Sequence, residues 1–338
     1  MKALVYEGPE RVEMRDVGKP EIGPDEVLIK TKFAGVCGTD LHILAGRFPV
    51  KEGVIVGHEA SGIVEQVGED VQTIKLGEEV VCAPYLFCGE CIPCRAGRYN
   101  VCMNRRHLGI EVDGLFAEYF KLPAYAVYPA PEGMSLEEGA VVEPASVGYH
   151  AVQRVSPTPS DSVVIIGAGP IGLLILESIS AFGCQKIIVS ELIDKRLRLA
   201  ETLGAHRVVN PDRENLKEIV KEETDGVGAD IVIEAVGIPE TVAETVGLVR
   251  SAGKICIVGL SREPVEFDFL SLVRREIDII TSDASRMGYE KIHELVAKKI
   301  IDVRPLITHT FQLEDIGKAF DVATKRQESI KVLIAFPD

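Results

Sequence analysis

The run Val163-Val-Ile-Ile-Gly167-Ala-Gly169-Pro170-Ile171-Gly172 constrains the fold of this chain more than any other stretch. Four β-branched residues form a buried strand, and an apolar helical segment follows the glycines at once. In that setting G-x-G-x-x-G spacing has three uses. Gly167 allows a tight turn, Gly169 lets backbone approach a pyrophosphate, and Gly172 lets the helix pack close on the strand. Pro170 and Ile171 open the helix, whose free N–H groups face the phosphates. The next strand ends at Glu191, nineteen residues past Gly172. A carboxylate there binds both hydroxyls of an adenosine ribose and repels a 2′-phosphate, so the spacing predicts a dinucleotide site for NAD in preference to NADP. Lys195 and Arg196 follow about one helical turn later. Arg196 is a candidate cofactor contact, although a solvated helix face is the simpler expectation for both.

The rhythm around this motif extends it into a domain. Strands at Val163–Ile166, Lys186–Val189, Arg207–Val209, Ile231–Ala235, Lys254–Val258 and Ile277–Thr281 alternate with amphipathic helices, which implies a doubly wound parallel sheet. From Met1 to about His150 the texture differs, with short β-rich pieces such as Ala3–Tyr6, Val27–Lys30 and Gly62–Val67 broken by Gly and Pro. That predicts a small barrel-like β domain, joined to the second through Ser156–Ser160. Beyond Ser285 a helix (Tyr289–Lys299), a strand (Leu306–Phe311), a helix (Leu313–Thr324) and a strand (Lys331–Ala335) do not continue the α/β rhythm, so this tail is expected to return to the first domain. A chain of 338 residues with 46% hydrophobic side chains suits two cores better than one.

Charge narrows the partners. A formal net charge of −15 argues against nucleic acid and anionic membrane surfaces and leaves a small neutral substrate as the easier ligand. The longest apolar run, Val163–Leu176, is too short to span a bilayer and carries three glycines and a proline. Met1–Gly8 lacks a secretion signal's pattern, so the expected location is the cytoplasm, where the eight cysteines stay reduced.

Their spacing is then the informative property. Cys88-x2-Cys91-x2-Cys94-x7-Cys102 gathers four thiolates in a loop and suits a closed, structural tetrahedral zinc site. An iron–sulfur cluster is the rival, but its fourth cysteine commonly comes sooner and precedes proline, where Met103 stands here. Cys82, Cys184 and Cys256 read as small buried hydrophobes. A second constellation comprises Cys37, Thr39 and His42, then His58-Glu59, then Glu143 before Pro144. Alone, His58 reads as a core histidine and Glu143 as a surface acid. Together, a thiolate, an imidazole and a carboxylate from Glu59 or Glu143 make three ligands and leave a fourth zinc position open for catalysis.

At these residues the chain resembles the zinc-containing medium-chain alcohol dehydrogenase family. Gly57 to Val71 reads G-H-E-x2-G-x5-G-x2-V, like the family's zinc signature, and the four-cysteine lobe, the glycine motif and Leu306-Ile-Thr-His-Thr-Phe311 match as well. The resemblance covers essentially the whole chain. It implies a GroES-like β-rich catalytic domain (1–150 and 285–338), a Rossmann NAD-binding domain (151–284), an active site in the cleft between them, one catalytic and one structural zinc, and a homodimer or homotetramer built on the coenzyme domain's sheet edge. Val142-Glu-Pro-Ala-Ser-Val-Gly-Tyr-His150 is similar to the sorbitol dehydrogenase branch, whereas threonine dehydrogenases usually carry an aspartate followed by Pro-Phe-Gly-Asn. One departure is Asp283-Ala-Ser285, with Arg286 displaced, where sorbitol dehydrogenases have Phe-Arg-Tyr. The implied activity is oxidation of a polyol or sugar-acid secondary alcohol. Glu59 or Glu143 ligates the metal or holds its water, Thr39 takes the alcohol proton, and His42 passes it on. The alternatives are a threonine dehydrogenase-like or general secondary-alcohol enzyme and a non-catalytic nucleotide-binding relative, which should have lost ligands.

Overall fold

Short β-rich runs separated by Gly and Pro positions fold the first 130 or so residues into antiparallel strands. The computed structural model describes residues 1–184, 186–261, 263–285 and 289–337. A hairpin of β1 (Lys2–Gly8) and β2 (Arg11–Asp16) precedes the long strand β3 (Glu26–Val36) and helix α1 (Gly38–Leu44). Strands β4 (Glu59–Val67), β5 (Glu79–Cys82), β6 (Tyr119–Pro123) and β7 (Val127–Pro129) follow. β3 is the hub of the sheet. It pairs antiparallel with β4 along most of its length and with β6 through its first half, and β5 and β7 extend the β4 side.

Helix α2 (Val142–Val155) then leads to β8 (Ser162–Ile166), α3 (Pro170–Ala181), β9 (Lys186–Ser190), α4 (Asp194–Thr202) and β10 (Arg207–Val209). The alternation continues through α5 (Leu216–Glu223), β11 (Ala229–Glu234), α6 (Pro239–Leu248), β12 (Val249–Ile257), α7 (Phe269–Arg274) and β13 (Asp278–Thr281). These six strands form one parallel sheet in the order β10-β9-β8-β11-β12-β13. The strand order reverses between β8 and β11, and open sheets of this kind bind ligands at the carboxyl ends there. β8 is buried along its whole length, as its unbroken β-branched run requires.

After α8 (Tyr289–Ala297), the strands β14 (Ile307–Gln312) and β15 (Lys331–Ala335) flank α9 (Ile316–Thr324). β15 pairs antiparallel with β3, and β14 pairs parallel with β15, so the tail adds two strands to the first sheet. The chain divides into one unit of Met1–Glu143, Arg286–Lys299 and Val303–Asp338, and a second of Pro144–Ser285 and Ile300–Asp302.

Sequence boundaries needed one correction. The segment Ser156–Ser160, expected as the joint, lies inside the second unit, and the division falls at Glu143–Pro144. Close packing of α2 explains this: a Cβ on Gly148 would come within 2.9 Å of the Leu174 backbone in α3, so the helix belongs with the nucleotide sheet. Arg286, noted for its displacement, lies outside the described residues. Among the described helices none is long and apolar enough to cross a membrane.

Candidate active site, metal centres and nucleotide turn

β3 delivers the first ligand candidate. Cys37 follows its last residue and caps α1, where the Asp40 carboxylate accepts the Cys37 N–H at 2.8 Å. That turn places Thr39 and His42 on α1, both half-buried. His58 and Glu59 enter from the start of β4, and Glu59 stands opposite Gly35 of β3. A Cβ at Gly35 would overlap the Glu59 carboxylate, so the glycine makes room for the acid. The donor atoms of Cys37, His58 and Glu59 lie within 4.8 Å of one another. His58 Nδ1 is 3.4 Å from buried Asp40. Burial opposes protonation of His58, but the anionic neighbours Asp40 and Cys37 outweigh it and hold the imidazole well above its ordinary value. A field that favours a proton there also favours a metal cation, and a thiolate, an imidazole and a carboxylate are zinc donors. The residues therefore fit zinc.

Glu143, in the first turn of α2, is 5% exposed and lies outside that three-residue set. Burial pushes its carboxyl up to about 7; His58 and Lys331 pull against this, and Glu59 and Asp40 add to it. It stands within electrostatic reach of the cluster.

Lys331 was not anticipated. It opens β15, is 2% exposed, and donates to both Glu59 oxygens at 2.8 and 2.7 Å and to the Val36 carbonyl at 3.2 Å. Burial disfavours its charge, and Glu59 with Cys37 restores it and raises the ammonium above its ordinary value. The available signal was a lysine heading the apolar run Val332-Leu-Ile-Ala335. Half-buried His107 also escaped notice; its ring stands edge-on to His58 at 4.9 Å, its Nδ1 is 2.6 Å from the Leu108 carbonyl oxygen, and desolvation lowers it to about 3.

The four-cysteine loop brings its sulfurs together as the spacing demanded. Cys102 Sγ lies 3.5 Å from Cys88 Sγ and 3.8 Å from Cys91 Sγ, and it accepts the N–H groups of Cys88 and Asn104 at 3.4 and 3.3 Å. Zinc–sulfur arms of 2.3 Å give a tetrahedron with edges of roughly 3.8 Å, so this cage also fits zinc. Backbone N–H groups of Glu90 and Cys91 draw Cys88 down to about 6, whereas burial pushes Cys94 up to about 12. Cys82, Cys184 and Cys256 are buried and scattered.

In the second unit, Gly167 takes a left-handed φ of +97° and Gly169 caps α3, with Pro170 and Ile171 as its first residues. A Cβ on Gly172 would run into the Gly167 carbonyl, whereas one on Gly169 would meet only Arg196, at 3.8 Å. Gly169 thus leaves open space where a pyrophosphate would approach. The Glu191 carboxylate accepts N–H groups from Ala168 at 3.0 Å, Leu192 at 2.8 Å and Ile193 at 3.1 Å, and so ties the glycine turn to the loop after β9. Arg196 is not on a solvated face. It is buried, with its guanidinium 3.7 Å from Glu191, because the inward side of α4 turns it toward the glycine turn; Lys195 remains exposed.

Comparison with known proteins agrees with both halves. The alcohol dehydrogenase GroES-like domain matches residues 23–132, and the zinc-binding dehydrogenase family matches residues 170–299. The chain is 36% identical to the L-threonine 3-dehydrogenase of Bacillus subtilis, covering 99% of this chain and 98% of that protein. It is 35% identical to the sorbitol dehydrogenase of the same organism, covering 99% and 97%. Among solved structures it resembles an alcohol dehydrogenase from Escherichia coli complexed with NADH (TM-score 0.95, 32% identity, 99% of each chain). It also resembles a zinc-binding dehydrogenase from Sinorhizobium meliloti bound to NADP (TM-score 0.93, 32% identity, 99% and 98%). With that similarity running the length of the chain over a complete donor set, the protein belongs to the zinc-containing medium-chain alcohol dehydrogenase family, in the branch that includes polyol dehydrogenases.

Proposed function

We propose that the enzyme oxidises the secondary alcohol of a polyol or sugar acid to a ketone with NAD, and reduces the ketone in reverse. The observation that carries this is the gathering of Cys37, His58 and Glu59 within 4.8 Å, two residues from Thr39, in a chain with the sorbitol dehydrogenase-like run Val142–His150. Cys37 and His58 would hold the catalytic zinc with Glu59, and Glu143 is the alternative carboxylate. Cys88, Cys91, Cys94 and Cys102 would hold the structural one. When bound, the catalytic zinc supplies a Lewis acid that lowers the pKa of an alcohol at its open position. Thr39 accepts the alcohol proton on its hydroxyl and His42 carries it toward water. Lys331 fixes the Glu59 carboxylate, and Asp40 orients both Cys37 and His58.

Glu191 supports NAD, since its carboxylate suits a free ribose diol, and Arg196 beside Gly169 places a cation near the expected pyrophosphate. We assign Met1–Glu143, Arg286–Lys299 and Val303–Asp338 to the catalytic domain, Pro144–Ser285 with Ile300–Asp302 to the NAD-binding domain, and the cytoplasm as the location. The edge strand β13, with exposed Ile279 and with Phe269, Leu270 and Val273 exposed on α7, supports a homodimer built on that sheet edge, as such itself or as half of a tetramer.

The test is a substrate screen on zinc-loaded enzyme that follows NADH or NADPH formation with polyols, sugar acids, simple secondary alcohols and L-threonine. The expected result is the highest kcat/KM for a polyol or sugar acid with NAD. A clear preference for L-threonine would replace this reading with its rival, which the similarity to L-threonine 3-dehydrogenase favours.

A further inference from the structure

His107 stands beside the three zinc donors Cys37, His58 and Glu59 and is not one of them. Its ring meets the His58 ring edge-on at 4.9 Å and the Tyr85 ring edge-on at 4.8 Å. A phenyl or leucyl side chain would fill that space with no polar atom to desolvate, so packing alone does not explain an imidazole there.

The two ring nitrogens have different surroundings. Nδ1 lies 2.6 Å from the Leu108 carbonyl oxygen. A carbonyl only accepts, so Nδ1 carries the hydrogen and Nε2 of the neutral ring is left as an acceptor. Nε2 has no partner among the described residues, and it is open to solvent, not sealed in the interior. The backbone meanwhile holds the ring in place. His107 pairs with Tyr85 in a short antiparallel ladder, its N–H donates to the Glu111 carboxylate at 2.7 Å, and its carbonyl accepts the Glu111 N–H at 3.0 Å. Leu108, next in the chain, is 2% exposed and donates its N–H to the Pro84 carbonyl at 3.0 Å, while the Arg105 guanidinium lies over the Tyr85 ring at 5.2 Å. A polar group ordered in advance loses less freedom when it binds, which suits it to recognition.

We propose that His107 is a specificity-determining residue: its Nε2 accepts a hydrogen bond from a hydroxyl on the carbon next to the one oxidised. The enzyme would then take vicinal diols, polyols among them, in preference to simple secondary alcohols. This deepens the polyol reading and rests on it for the place of the substrate oxygen, at a metal held by Cys37, His58 and Glu59. A ring in contact with His58 yet outside the donor set lies within a small substrate's reach of that oxygen. A mono-alcohol would cover Nε2 and leave it unpaired, and a site built to hydrogen-bond a hydroxyl rejects the analogue that lacks it for that reason.

The test compares kcat/KM of zinc-loaded enzyme with NAD for (R)- and (S)-1,2-propanediol and for 2-propanol, which differ by that one hydroxyl. Wild type should prefer the better diol enantiomer by about tenfold or more. His107→Phe keeps a ring in place and removes the acceptor, and it should bring the ratio near one. His107→Gln offers an amide oxygen instead and should restore part of the preference. A second readout needs no turnover: on enzyme saturated with NAD, which cannot reduce a ketone, hydroxyacetone should bind more tightly than acetone in wild type and not in His107→Phe. A diol preference that survives in His107→Phe would overturn the proposal. So would the lack of any diol preference in wild type, or loss of zinc from both variants, which would make His107 part of the metal site. L-Threonine as the best substrate of all would overturn the polyol reading alone, and the diol ratios would still decide the role of His107.

Discussion

The two clusters that would hold zinc in this chain are built in opposite ways. The four cysteines lie within fifteen residues, on one loop whose own N–H groups serve its sulfurs. Cys37, His58, Glu59 and Lys331 span almost the whole chain and meet only because β15 and β4 lie on either side of β3. The first cluster needs only a loop to close; the second needs the sheet in register. A local site can thus fail without touching the chemistry, whereas the dispersed site couples chemistry to the fold.

The largest expected effects separate the two. Cys37→Ser should abolish turnover while leaving NAD affinity and the melting temperature nearly unchanged, because it removes a ligand and little packing. Cys94→Ser should lower thermal stability or assembly, and activity should fall only as folded protein is lost. Zinc analysis, NAD titration and melting curves on both variants check this. A fully active enzyme with one zinc per chain would remove the distinction.

Lys331→Met tests the dispersed site at the point where fold and chemistry meet. Removing one partner of a buried ion pair leaves an uncompensated charge, and the expected loss is about 3 to 5 kcal/mol in denaturant unfolding. The double variant Lys331→Met, Glu59→Gln should recover much of that stability, since no charge is then left alone, but not turnover. If Lys331→Met costs no more than an exposed lysine, the pair does not organise the site.

Thr39→Val probes chemistry without ligands. The volume is kept and the hydroxyl lost, so zinc and NAD should still bind while turnover falls by about two to four orders of magnitude. Thr39→Ser should keep most activity. Wild-type turnover in a zinc-loaded Thr39→Val enzyme would send the proton by another route.

The same contrast explains what was legible in the sequence. The cysteine loop, the glycine turn and each strand of the nucleotide sheet depend on neighbours in the chain, so spacing and periodicity revealed them. Which side chains meet across β3 depends on register, and no local pattern carries that information. Lys331 was therefore invisible as a partner of Glu59, although a lysine opening an apolar strand signalled a buried charge. Arg196 failed for a related reason: which side of α4 faces the glycine turn is set by how the helix packs after β9, not by its composition. The expected joint at Ser156–Ser160 was read from proline and hydroxyl content, whereas the close approach of Gly148 to α3 sets the division.

Glu177 shows what burial does to a carboxylate that lacks the lysine Glu59 has. On α3 it is 7% exposed, and the protein contact that steadies it is the Asp302 N–H. Burial, with the Asp302 carboxylate adding to it, raises the group from 4.5 to about 7 despite that N–H. Between those values the folded chain holds a proton that the unfolded chain has released, so this group lowers stability as pH rises through the window and no further above it. A shift of that size corresponds to at most about 3.4 kcal/mol. Glu177→Gln keeps an oxygen to accept the N–H and removes the titration. The variant should match wild type near pH 4.5 and exceed it by about 1 to 3 kcal/mol at pH 8. Taking the difference between the two unfolding curves at each pH cancels the titration of Glu143 and the histidines, which both proteins share. A difference that stays constant from pH 4.5 to 8 would mean that Glu177 is ionised throughout, steadied by its backbone donor alone. The lysine at Glu59 would then not be what a buried carboxylate in this fold requires.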